Sequence, residues 1–326
     1  MKNIWKSKVI LITGANGFLG SHLVKRAFAY GAEVVVLIKE DIPRSLFNIE
    51  KLYRKAKVIR GDLRNRRLIA SLFAKNKISL CLHIAAQAIV GIANKSPLGT
   101  FRTNIEGTWN ILEAARVYGV GAMIVASSDK AYGEHEKLPY KEDAPLLSLH
   151  PYDASKACAD ILSRTYAHTY AMPIGVSRCA NIYGPGDFNF SRIIPDTMRA
   201  VINGKNPVIR SDGTPLRDYV FIDDIVDAYY RLAQMLFLGR VGFAEAFNFG
   251  TGRAIRVLDL VHKIIKVSAK SGLSPRIMSK GKIKGEIEKQ YLSSAKAKRL
   301  LGWEAKYSLD QGLKKTYAYY RDFFRK

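Results

Sequence analysis

The stretch T-G-A-N-G-F-L-G at residues 13–20 follows an apolar run, K-V-I-L-I-T at residues 8–13, and opens a segment with the apolar spacing of a helix. A glycine triplet is specific only in this context of strand, tight turn and helix. Gly14 would allow the sharp turn, Gly17 would let the backbone approach a pyrophosphate, and Gly20 would let the helix pack closely on the strand. The stretch therefore predicts a dinucleotide-binding βαβ unit, with the diphosphate at the helix N-terminus.

Short runs rich in valine and isoleucine alternate with helical patterns through the first half of the chain. The predicted strands are residues 8–13, 33–38, 57–60, 79–84, 122–126 and 173–177, and the predicted helices are residues 17–30, 65–75, 97–118 and 153–170. Strands that are apolar on both faces and separated by helices indicate a parallel sheet covered on both sides. The prediction is an α/β fold with a Rossmann-type doubly wound parallel sheet.

Beyond residue 180 the alternation loosens, and glycine and proline interrupt the pattern at short intervals. Short strands and helices mix there, which indicates a smaller lobe that covers the substrate. We therefore predict a dinucleotide-binding Rossmann domain with the catalytic residues at 1–180, and mainly a C-terminal α+β substrate-binding lobe at 181–326. Some segments of the lobe are expected to return to the first domain.

Composition favours a soluble protein with a large core. The chain has 326 residues, of which 48% are hydrophobic. No apolar stretch reaches the roughly 18 residues of a membrane-spanning helix, and the N-terminus lacks signal-peptide architecture, so a cytoplasmic location is expected. Cys81, Cys158 and Cys179 are far apart in apolar segments, which predicts buried free thiols and no metal site.

The net charge is +24, from 52 basic and 28 acidic residues. A charge of this size could indicate nucleic acid or an anionic membrane as a partner. The basic residues are spread along the whole chain, however, including the run Lys266–Lys284, and no nucleic-acid-binding motif accompanies them. We therefore interpret the charge as a basic solvated surface, which would also attract an anionic nucleotide substrate.

The end of the second predicted strand, L-I-K-E-D at residues 37–41, is the position that usually selects the cofactor. An acid there binds the ribose 2′-hydroxyl of NAD, whereas a base suits the 2′-phosphate of NADP. Lys39 stands beside two acids, so both NAD and NADP remain open. Asp62, in G-D-L after the third predicted strand, could hold the adenine amino group or cap the next helix, and both interpretations are kept.

Tyr152 and Lys156 form the motif Y-x-x-x-K at the start of a predicted helix. Residues four apart share one helix face, so both side chains would stand together. A nearby ammonium would stabilise the phenolate and lower the pKa of Tyr152, which predicts a general base. Ser128 follows the preceding predicted strand, where its hydroxyl could bond the substrate hydroxyl being oxidised.

At this point the sequence resembles the extended short-chain dehydrogenase/reductase superfamily over nearly its whole length. The motifs that carry the resemblance are G-x-x-G-x-x-G (14–20), H-I-A-A (83–86), N-x-x-G-T (104–108), Y-x-x-x-K (152–156), R-x-x-N-x-Y-G-P (178–185) and R-D-Y-V (217–220). Three longer blocks are similar to CDP-glucose 4,6-dehydratases, with GDP-mannose 4,6-dehydratases as neighbours: S-S-D-K-A-Y-G-E (127–134), H-P-Y-D-A-S-K-A-C-A-D (150–160) and G-D-F-N-F-S-R-I-I-P (186–195).

The resemblance implies a nucleotide-sugar 4,6-dehydratase that works in three stages. In the first stage, Tyr152 takes the proton of the sugar 4-hydroxyl while hydride passes to the nicotinamide. In the second, a base removes the hydrogen on carbon 5 as the protonated 6-hydroxyl leaves. In the third, the hydride returns to carbon 6. Asp129 would be the acid for the 6-hydroxyl, and Lys130, in its deprotonated form, would be the base. The alternative is an Asp–Lys pair that only shapes the loop.

The resemblance and the glycine loop together imply three sets of site residues and no metal. The catalytic residues are Ser128, Asp129, Lys130, Tyr152 and Lys156. The residues expected to bind NAD or NADP are Gly14, Asn16, Gly17, Phe18, Leu19, Gly20, Lys39, Asp62, Leu63, Ala85, Ala86, Asn104, Tyr152 and Lys156. The residues expected to bind the nucleotide-diphosphate sugar are Gln87, Ser128, Asn181, Arg192 and Arg217. Asn104 is further expected to bond backbone or a water near the site.

The resemblance also implies a homodimer in which the helices at 97–118 and 153–170 form a four-helix bundle with a second subunit. Apolar residues on these helices fit that interface or an internal core equally well, among them Trp109, Leu112, Ile161 and Leu162. CDP-glucose is the favoured substrate, and GDP-mannose, dTDP-glucose and heptose derivatives remain open. The competing functions are a 4-epimerase or reductase of the same superfamily, and a nucleotide-sensing binding protein without turnover.

Overall fold

The structure, a computed structural model, describes residues 3–279, 281 and 287–325, so part of the run Lys266–Lys284 and the end of the predicted lobe lie outside the described residues. The strands are β1 (Val9–Thr13), β2 (Glu33–Ile38), β3 (Lys57–Arg60), β4 (Ile78–His83), β5 (Ala122–Ala126), β6 (Ile174–Cys179), β7 (Asn181–Tyr183), β8 (Val208–Ile209), β9 (Leu216–Phe221), β10 (Glu245–Phe249), β11 (Ala254–Arg256), β12 (Arg276–Ile277) and β13 (Lys289–Gln290). Seven of them form one parallel sheet in the order β10-β6-β5-β4-β1-β2-β3. This sheet confirms the predicted doubly wound fold, and the six predicted strands agree with the structure within two residues.

Both faces of this sheet are buried, which explains the continuous apolar runs in the sequence. Neighbouring side chains of a strand point to opposite faces. On β1, Ile10 and Ile12 therefore join one core, and Leu11 joins the other. Val34 and Val35 of β2 divide in the same way.

The helices of the described residues are α1 (Phe18–Ala29), α2 (Leu46–Ile49), α3 (Arg66–Lys75), α4 (Val90–Lys95), α5 (Pro97–Phe101), α6 (Gly107–Tyr118), α7 (Pro151–Thr169), α8 (Ile193–Ile202), α9 (Ile222–Phe237), α10 (Val257–Ser268), α11 (Ala295–Leu301) and α12 (Leu309–Phe324). Leu23 of α1 and Ile225 of α9 belong to the core on one face, whereas Ile69 of α3 and Ile111 of α6 belong to the core on the other. The sheet is thus a middle layer between two helical layers.

The predicted helix at 97–118 contains an irregularity that the apolar spacing does not show. It consists of α5, a π-helical turn at Arg102–Glu106, and α6. The π turn carries the buried Asn104 towards the loop after β4. Turns of this type are often found at functional sites.

Strand order reverses beside β1, with β2 and β3 on one side and β4, β5 and β6 on the other. In open parallel sheets, ligands bind in the crevice beyond the carboxyl ends of the strands at such a point. The glycine loop follows β1, and Ser127 follows β5. The fold therefore brings the predicted motifs to one edge.

The second half of the chain builds a smaller unit and also completes the main sheet. Strand β9 pairs with β7, β11 and β13, and α8, α10 and α12 pack together beside them. Strand β10 pairs in parallel with β6, and α9 packs on α1 and β5. Strand β10 and helix α9 therefore pack with the main sheet, although they lie beyond residue 180 in the chain.

Within residues 3–279, 281 and 287–325, no helix is long and apolar enough to span a membrane. The same residues contain no group of three or more His, Cys, Asp and Glu side chains that could hold a metal ion. The three cysteines are free thiols; Cys81 and Cys179 are buried as predicted, but Cys158 is only partly buried.

Candidate active site

The carboxyl ends of β1, β4, β5 and β6 open into a cavity of about 1120 Å³, here called the large cavity. A second cavity of about 380 Å³, the side cavity, adjoins it towards the lobe. Among the residues that line both are Lys130, Asn181, Arg192 and Arg210. Three of these four carry positive charge, which suits an anionic ligand.

Nearly all of the predicted site residues meet at this cavity. Those that line the large cavity are Gly14, Asn16, Gly17, Phe18, Leu19, Gly20, Lys39, Asp62, Leu63, Ala85, Ala86, Gln87, Ser128, Asp129, Lys130, Tyr152, Lys156, Asn181 and Arg192. Arg217 lines the side cavity, and Asn104 is not in the wall of either one.

The glycine loop leaves no room for side chains at two positions. Gly14 has a φ of +69°, and a Cβ there would lie 2.8 Å from the Cα of Ala85. A Cβ on Gly20 would lie 2.1 Å from the carbonyl oxygen of Gly14. Glycine is therefore required for the turn and for the close packing of α1 on β1. The first turn of α1 has no acidic residue, so its N-terminus fits a diphosphate.

The end of β2 carries charges of both signs, as its sequence indicated. Asp62 accepts hydrogen bonds from Arg64 N and Nε, both at 2.9 Å, and Lys39 Nζ lies 3.7 Å from Asp62 Oδ2. Hydrogen bonds from Arg64 lower the pKa of Asp62 to about 2. The capping residue of α3 is Asn65, which accepts from Leu68 N at 3.0 Å, so the interpretation of Asp62 as the helix cap is wrong.

Tyr152 and Lys156 lie in the first two turns of α7, and both reach the wall of the large cavity. Lys156 Nζ donates to the carbonyl oxygen of Ala126 at 2.7 Å, and burial lowers the pKa of Lys156 to about 8. Burial raises the pKa of Tyr152 to about 12, opposed by the charge of Arg192 and by a hydrogen bond with Ser128. The expectation that Lys156 lowers the pKa of Tyr152 is therefore wrong for this structure, because burial dominates.

The turn after β5 holds an acid and a base in contact. Ser128 accepts from Lys130 N at 3.2 Å and so begins a short 3₁₀ helix, Asp129–Tyr132. Asp129 Oδ1 accepts from Ser128 Oγ at 3.0 Å and from Lys130 Nζ at 3.4 Å. Asp129 is 1% exposed, and its Oδ2 has no hydrogen-bond partner among the described residues. A ligand hydroxyl in the cavity could complete the bonding of this oxygen.

Asn181 and Arg217 connect the turn to the lobe. Lys130 Nζ donates to Asn181 Oδ1 at 3.3 Å, and Asn181 Nδ2 donates to the carbonyl oxygen of Asp218 at 3.1 Å. Arg217 Nη1 donates to the carbonyl oxygens of Leu216 and Glu288. Arg217 therefore lies at the side cavity, away from the glycine loop.

Asn104 acts through its neighbours instead of facing the cavity. It accepts from Gln87 N at 2.7 Å and donates to Gln87 O at 3.1 Å and to Ser155 Oγ at 2.8 Å. These contacts agree with the expectation that Asn104 bonds backbone near the site. They do not bring it to the cavity as a cofactor ligand, because the π turn directs its amide into the gap between the Gln87 loop and α7.

The lining of the two cavities includes polar residues that were not predicted from the sequence, and four of them bear on the site. Asp187 and Arg210 line the large cavity, and Asp153 and Gln290 line the side cavity. Gln290 Nε2 also donates to the carbonyl oxygen of Asp129 at 3.3 Å. Asp153 and Asp187 stand inside the quoted blocks 150–160 and 186–195 and could have been found there, whereas no motif marks Arg210 or Gln290.

Comparison with known proteins relates this geometry to a family. The family model described as GDP-mannose 4,6 dehydratase matches residues 11–316. A trifunctional UDP-glucose 4,6-dehydratase/UDP-4-keto-6-deoxy-D-glucose 3,5-epimerase/UDP-4-keto-L-rhamnose-reductase from Arabidopsis thaliana is 32% identical over 97% of the chain, but the chain spans only 47% of that relative, about half its length.

Two solved structures each superpose on this protein over nearly the whole length of both chains. A UDP-glucose 4-epimerase from Thermotoga maritima, in complex with UDP-glucose, has a TM-score of 0.85 and 31% identity, and covers 97% of this chain and 99% of its own. The dTDP-glucose 4,6-dehydratase DesIV from Streptomyces venezuelae, with NAD bound, has a TM-score of 0.85 and 27% identity, and covers 96% of this chain and 97% of its own. Dehydratases and epimerases thus share this fold.

Proposed function

The chain belongs to the GDP-mannose 4,6-dehydratase family of extended short-chain dehydrogenases/reductases, whose members are NAD-dependent nucleotide-sugar dehydratases and epimerases, and we propose that it is a nucleotide-sugar 4,6-dehydratase. The contact between Asp129 and Lys130 at the wall of the large cavity carries this proposal. An epimerase needs only to oxidise and reduce carbon 4, whereas loss of water also needs an acid and a base. The second oxygen of Asp129 has no hydrogen-bond partner among the described residues, and a substrate hydroxyl would supply one.

We propose NAD or NADP as the cofactor, because the residues fit a dinucleotide at both of its ends. The tight contacts at Gly14 and Gly20 shape the loop for a diphosphate. Lys39 offers a partner for the adenosine ribose, and Asp62 offers one for the adenine amino group. When bound, NAD or NADP would supply the acceptor for hydride from carbon 4 and the donor of hydride to carbon 6. Tyr152 then takes the proton of the 4-hydroxyl, with Ser128 bonded to the same oxygen.

Transfer of one proton from Lys130 to Asp129 turns Lys130 into a base and Asp129 into an acid. Transfer of a proton from Lys130 Nζ to Asp129 Oδ1, across the 3.4 Å contact, turns the ion pair into a carboxyl and an amine without a change in net charge. The amine of Lys130 then takes the proton of carbon 5, and the carboxyl of Asp129 protonates the departing 6-hydroxyl, which leaves as water. When carbon 6 is reduced, the ammonium of Lys130 returns the proton to carbon 5. The proton that Tyr152 took from the 4-hydroxyl then restores the ion pair.

The substrate proposed is an NDP-hexose, with CDP-glucose favoured by the resemblance of the motif blocks. Arg192, Arg210 and Arg217 offer forked donors at the two cavities, which suits a diphosphate. The division into a cofactor domain at 1–180 and a substrate lobe at 181–326 is part of this proposal. So is a cytoplasmic location.

A panel of nucleotide sugars tests the function. We expect loss of one water from CDP-glucose, or from UDP-glucose, dTDP-glucose or GDP-mannose, by mass spectrometry of enzyme with NAD or NADP. An epimer of unchanged mass in every case would identify a 4-epimerase and overturn the proposal. Net consumption of reduced cofactor would identify a reductase, and binding without conversion would identify a sensor.

We also propose a homodimer through α6 and α7. Trp109 is 44% exposed and Ile161 is 54% exposed on these two helices, which pack on each other. Large apolar side chains in such a position are typical of an interface. Leu112, in contrast, is completely buried in the core and does not contribute to this surface.

A further inference from the structure

The wall of the large cavity opposite the glycine loop is a short loop, Gly186–Arg192, between β7 and α8. The C-terminal helix α12 packs against its outer side. The ring of Phe188 lies 4.7 Å from that of Phe323 and 6.2 Å from that of Tyr320, centroid to centroid. The loop is therefore held between the cavity and α12.

Tyr320 makes the polar contact between α12 and this loop. Its hydroxyl, completely buried, donates a hydrogen bond to the carbonyl oxygen of Asp187. A buried phenol usually has such a partner. Tyr320 therefore fixes the backbone of Asp187 from outside the cavity.

Asp187 in turn holds Arg192. The carboxylate of Asp187, 2% exposed, accepts from Asn189 N at 3.1 Å and from Arg192 Nη1 at 2.9 Å. The side chain of Arg192 is 42% exposed and lines both cavities. A guanidinium has five N–H donors, so the bond to Asp187 leaves others for an anionic ligand.

We propose that Tyr320 and Asp187 are positioning residues that hold Arg192 for the diphosphate of the substrate, which makes α12 a part of the substrate site. This inference rests on the proposed function, since the ligand is taken to be a nucleoside diphosphate. Tyr320 lies beyond the residues 11–316 that the family model matches. A forked donor recognises a phosphate well only when its orientation is fixed, because ordering a free side chain lowers affinity.

The neighbouring tyrosine provides a matched control. The hydroxyl of Tyr319 is buried on the same helix and has no hydrogen-bond partner among the described residues. Tyr320→Phe and Tyr319→Phe each remove one buried oxygen, but only Tyr320→Phe removes a contact with the Asp187 loop. Melting temperatures of both variants report any general loss of stability.

The test is calorimetric titration of cofactor-loaded enzyme with CDP, UDP, dTDP and GDP, followed by kinetics with the best nucleotide sugar. For Tyr320→Phe we expect the Kd and the KM to rise about fivefold, which is the effect of one hydrogen bond, with kcat within about twofold. Tyr319→Phe should leave all three unchanged. In an Arg192→Ala background, Tyr320→Phe should have no further effect on the Kd.

Equal constants for the two tyrosine variants would overturn the inference. So would a fivefold loss that persists in the Arg192→Ala background, since Tyr320 would then act without Arg192. Binding of none of the four diphosphates to the wild type would overturn it as well. Intact binding and intact variant effects without loss of water would leave the inference standing and overturn only the dehydratase function.

Discussion

Asp129 is buried with one carboxylate oxygen bonded by Ser128 and Lys130 and the other without a protein partner. A buried polar atom left without a hydrogen bond costs about 1–3 kcal/mol of folding free energy. The cost is offset during turnover if a substrate hydroxyl reaches this oxygen. We therefore interpret the turn as built for substrate and not for stability.

Lys130→Ala is expected to separate oxidation from loss of water. The cofactor should still be reduced by the sugar, because Tyr152 is intact, whereas dehydration should slow by about 10²–10⁴-fold without the base. Absorbance of reduced nicotinamide and the product mass measure the two steps. Tyr152→Phe is the control that should stop both, and water loss by Lys130→Ala at the wild-type rate would show that Lys130 is not the base.

Asp153→Asn is expected to stabilise the protein above pH 6. Burial raises the pKa of Asp153 to about 6, partly opposed by Lys130 and His150. Because the folded-state pKa lies above the unfolded value of about 3.9, stability is highest below that value and falls as pH rises through 6. The ionised carboxylate then costs on the order of 3 kcal/mol, which the asparagine avoids.

Chemical denaturation of wild type and variant across this pH range measures the effect. The two proteins should differ little below the unfolded-state pKa and diverge as the pH approaches and passes 6. Asp143→Asn, at an exposed position in the preceding segment, is the control and should change nothing. A constant difference at all pH values would contradict the role of ionisation.

At the scale of the elements, the contact between α1 and the turn after β1 leaves no room for an added Cβ. Gly20→Ala would place a Cβ 2.1 Å from the Gly14 carbonyl oxygen, so α1 must move away from the sheet. We expect a loss of about 1–3 kcal/mol of stability and at least tenfold weaker cofactor binding, because the helix N-terminus is displaced.

Denaturation and cofactor titration measure this prediction. Gly242→Ala is the control, since a Cβ there would meet only the Glu245 side chain at an ordinary 3.6 Å. That variant should keep both stability and affinity. Unchanged cofactor affinity in Gly20→Ala would show that the diphosphate does not depend on the position of α1.

At the scale of the whole molecule, the apolar side chains of Trp109 and Ile161 are exposed on α6 and α7. Ile161→Glu is expected to convert a dimer into a monomer, because a buried unpaired carboxylate opposes association. Sedimentation velocity measures the mass of each form. Ile277→Glu, at a 45% exposed position on β12, is the control that should remain dimeric. A monomeric wild type would show that the dimer proposal is wrong.

Arg178, a residue of one of the sequence motifs, forms a buried ion pair with Asp160. The sequence motif predicts Arg178 to be a structural ion-pair partner, and the structure confirms this with Asp160. Arg178 Nε and Nη2 donate to the two oxygens of Asp160 at 2.7 and 2.9 Å, and Nη1 donates to Tyr132 Oη at 2.9 Å. Strand β6, helix α7 and the turn that carries Asp129 are thus joined by one guanidinium. Motif residues of this kind hold the catalytic segments together without touching a ligand.

The sequence by itself determined the strands of the main sheet other than β10, the glycine loop and the catalytic residues in the cavity wall. The spacing of apolar residues in strands and helices reflects local backbone geometry. The same geometry places Tyr152 and Lys156, four residues apart, on one face of a helix. The edge at which the motifs meet follows from the parallel sheet, because all its strands end on one side.

The tertiary structure alone decided what surrounds those residues. Burial raises the pKa of Tyr152 although a lysine stands one turn away, and the π turn directs Asn104 into the protein. The contact of Tyr320 with Asp187 joins residues 133 positions apart, and the contact of Gln290 with Asp129 joins residues 161 positions apart. No local pattern encodes such pairs, because they exist only once distant segments have packed and excluded water.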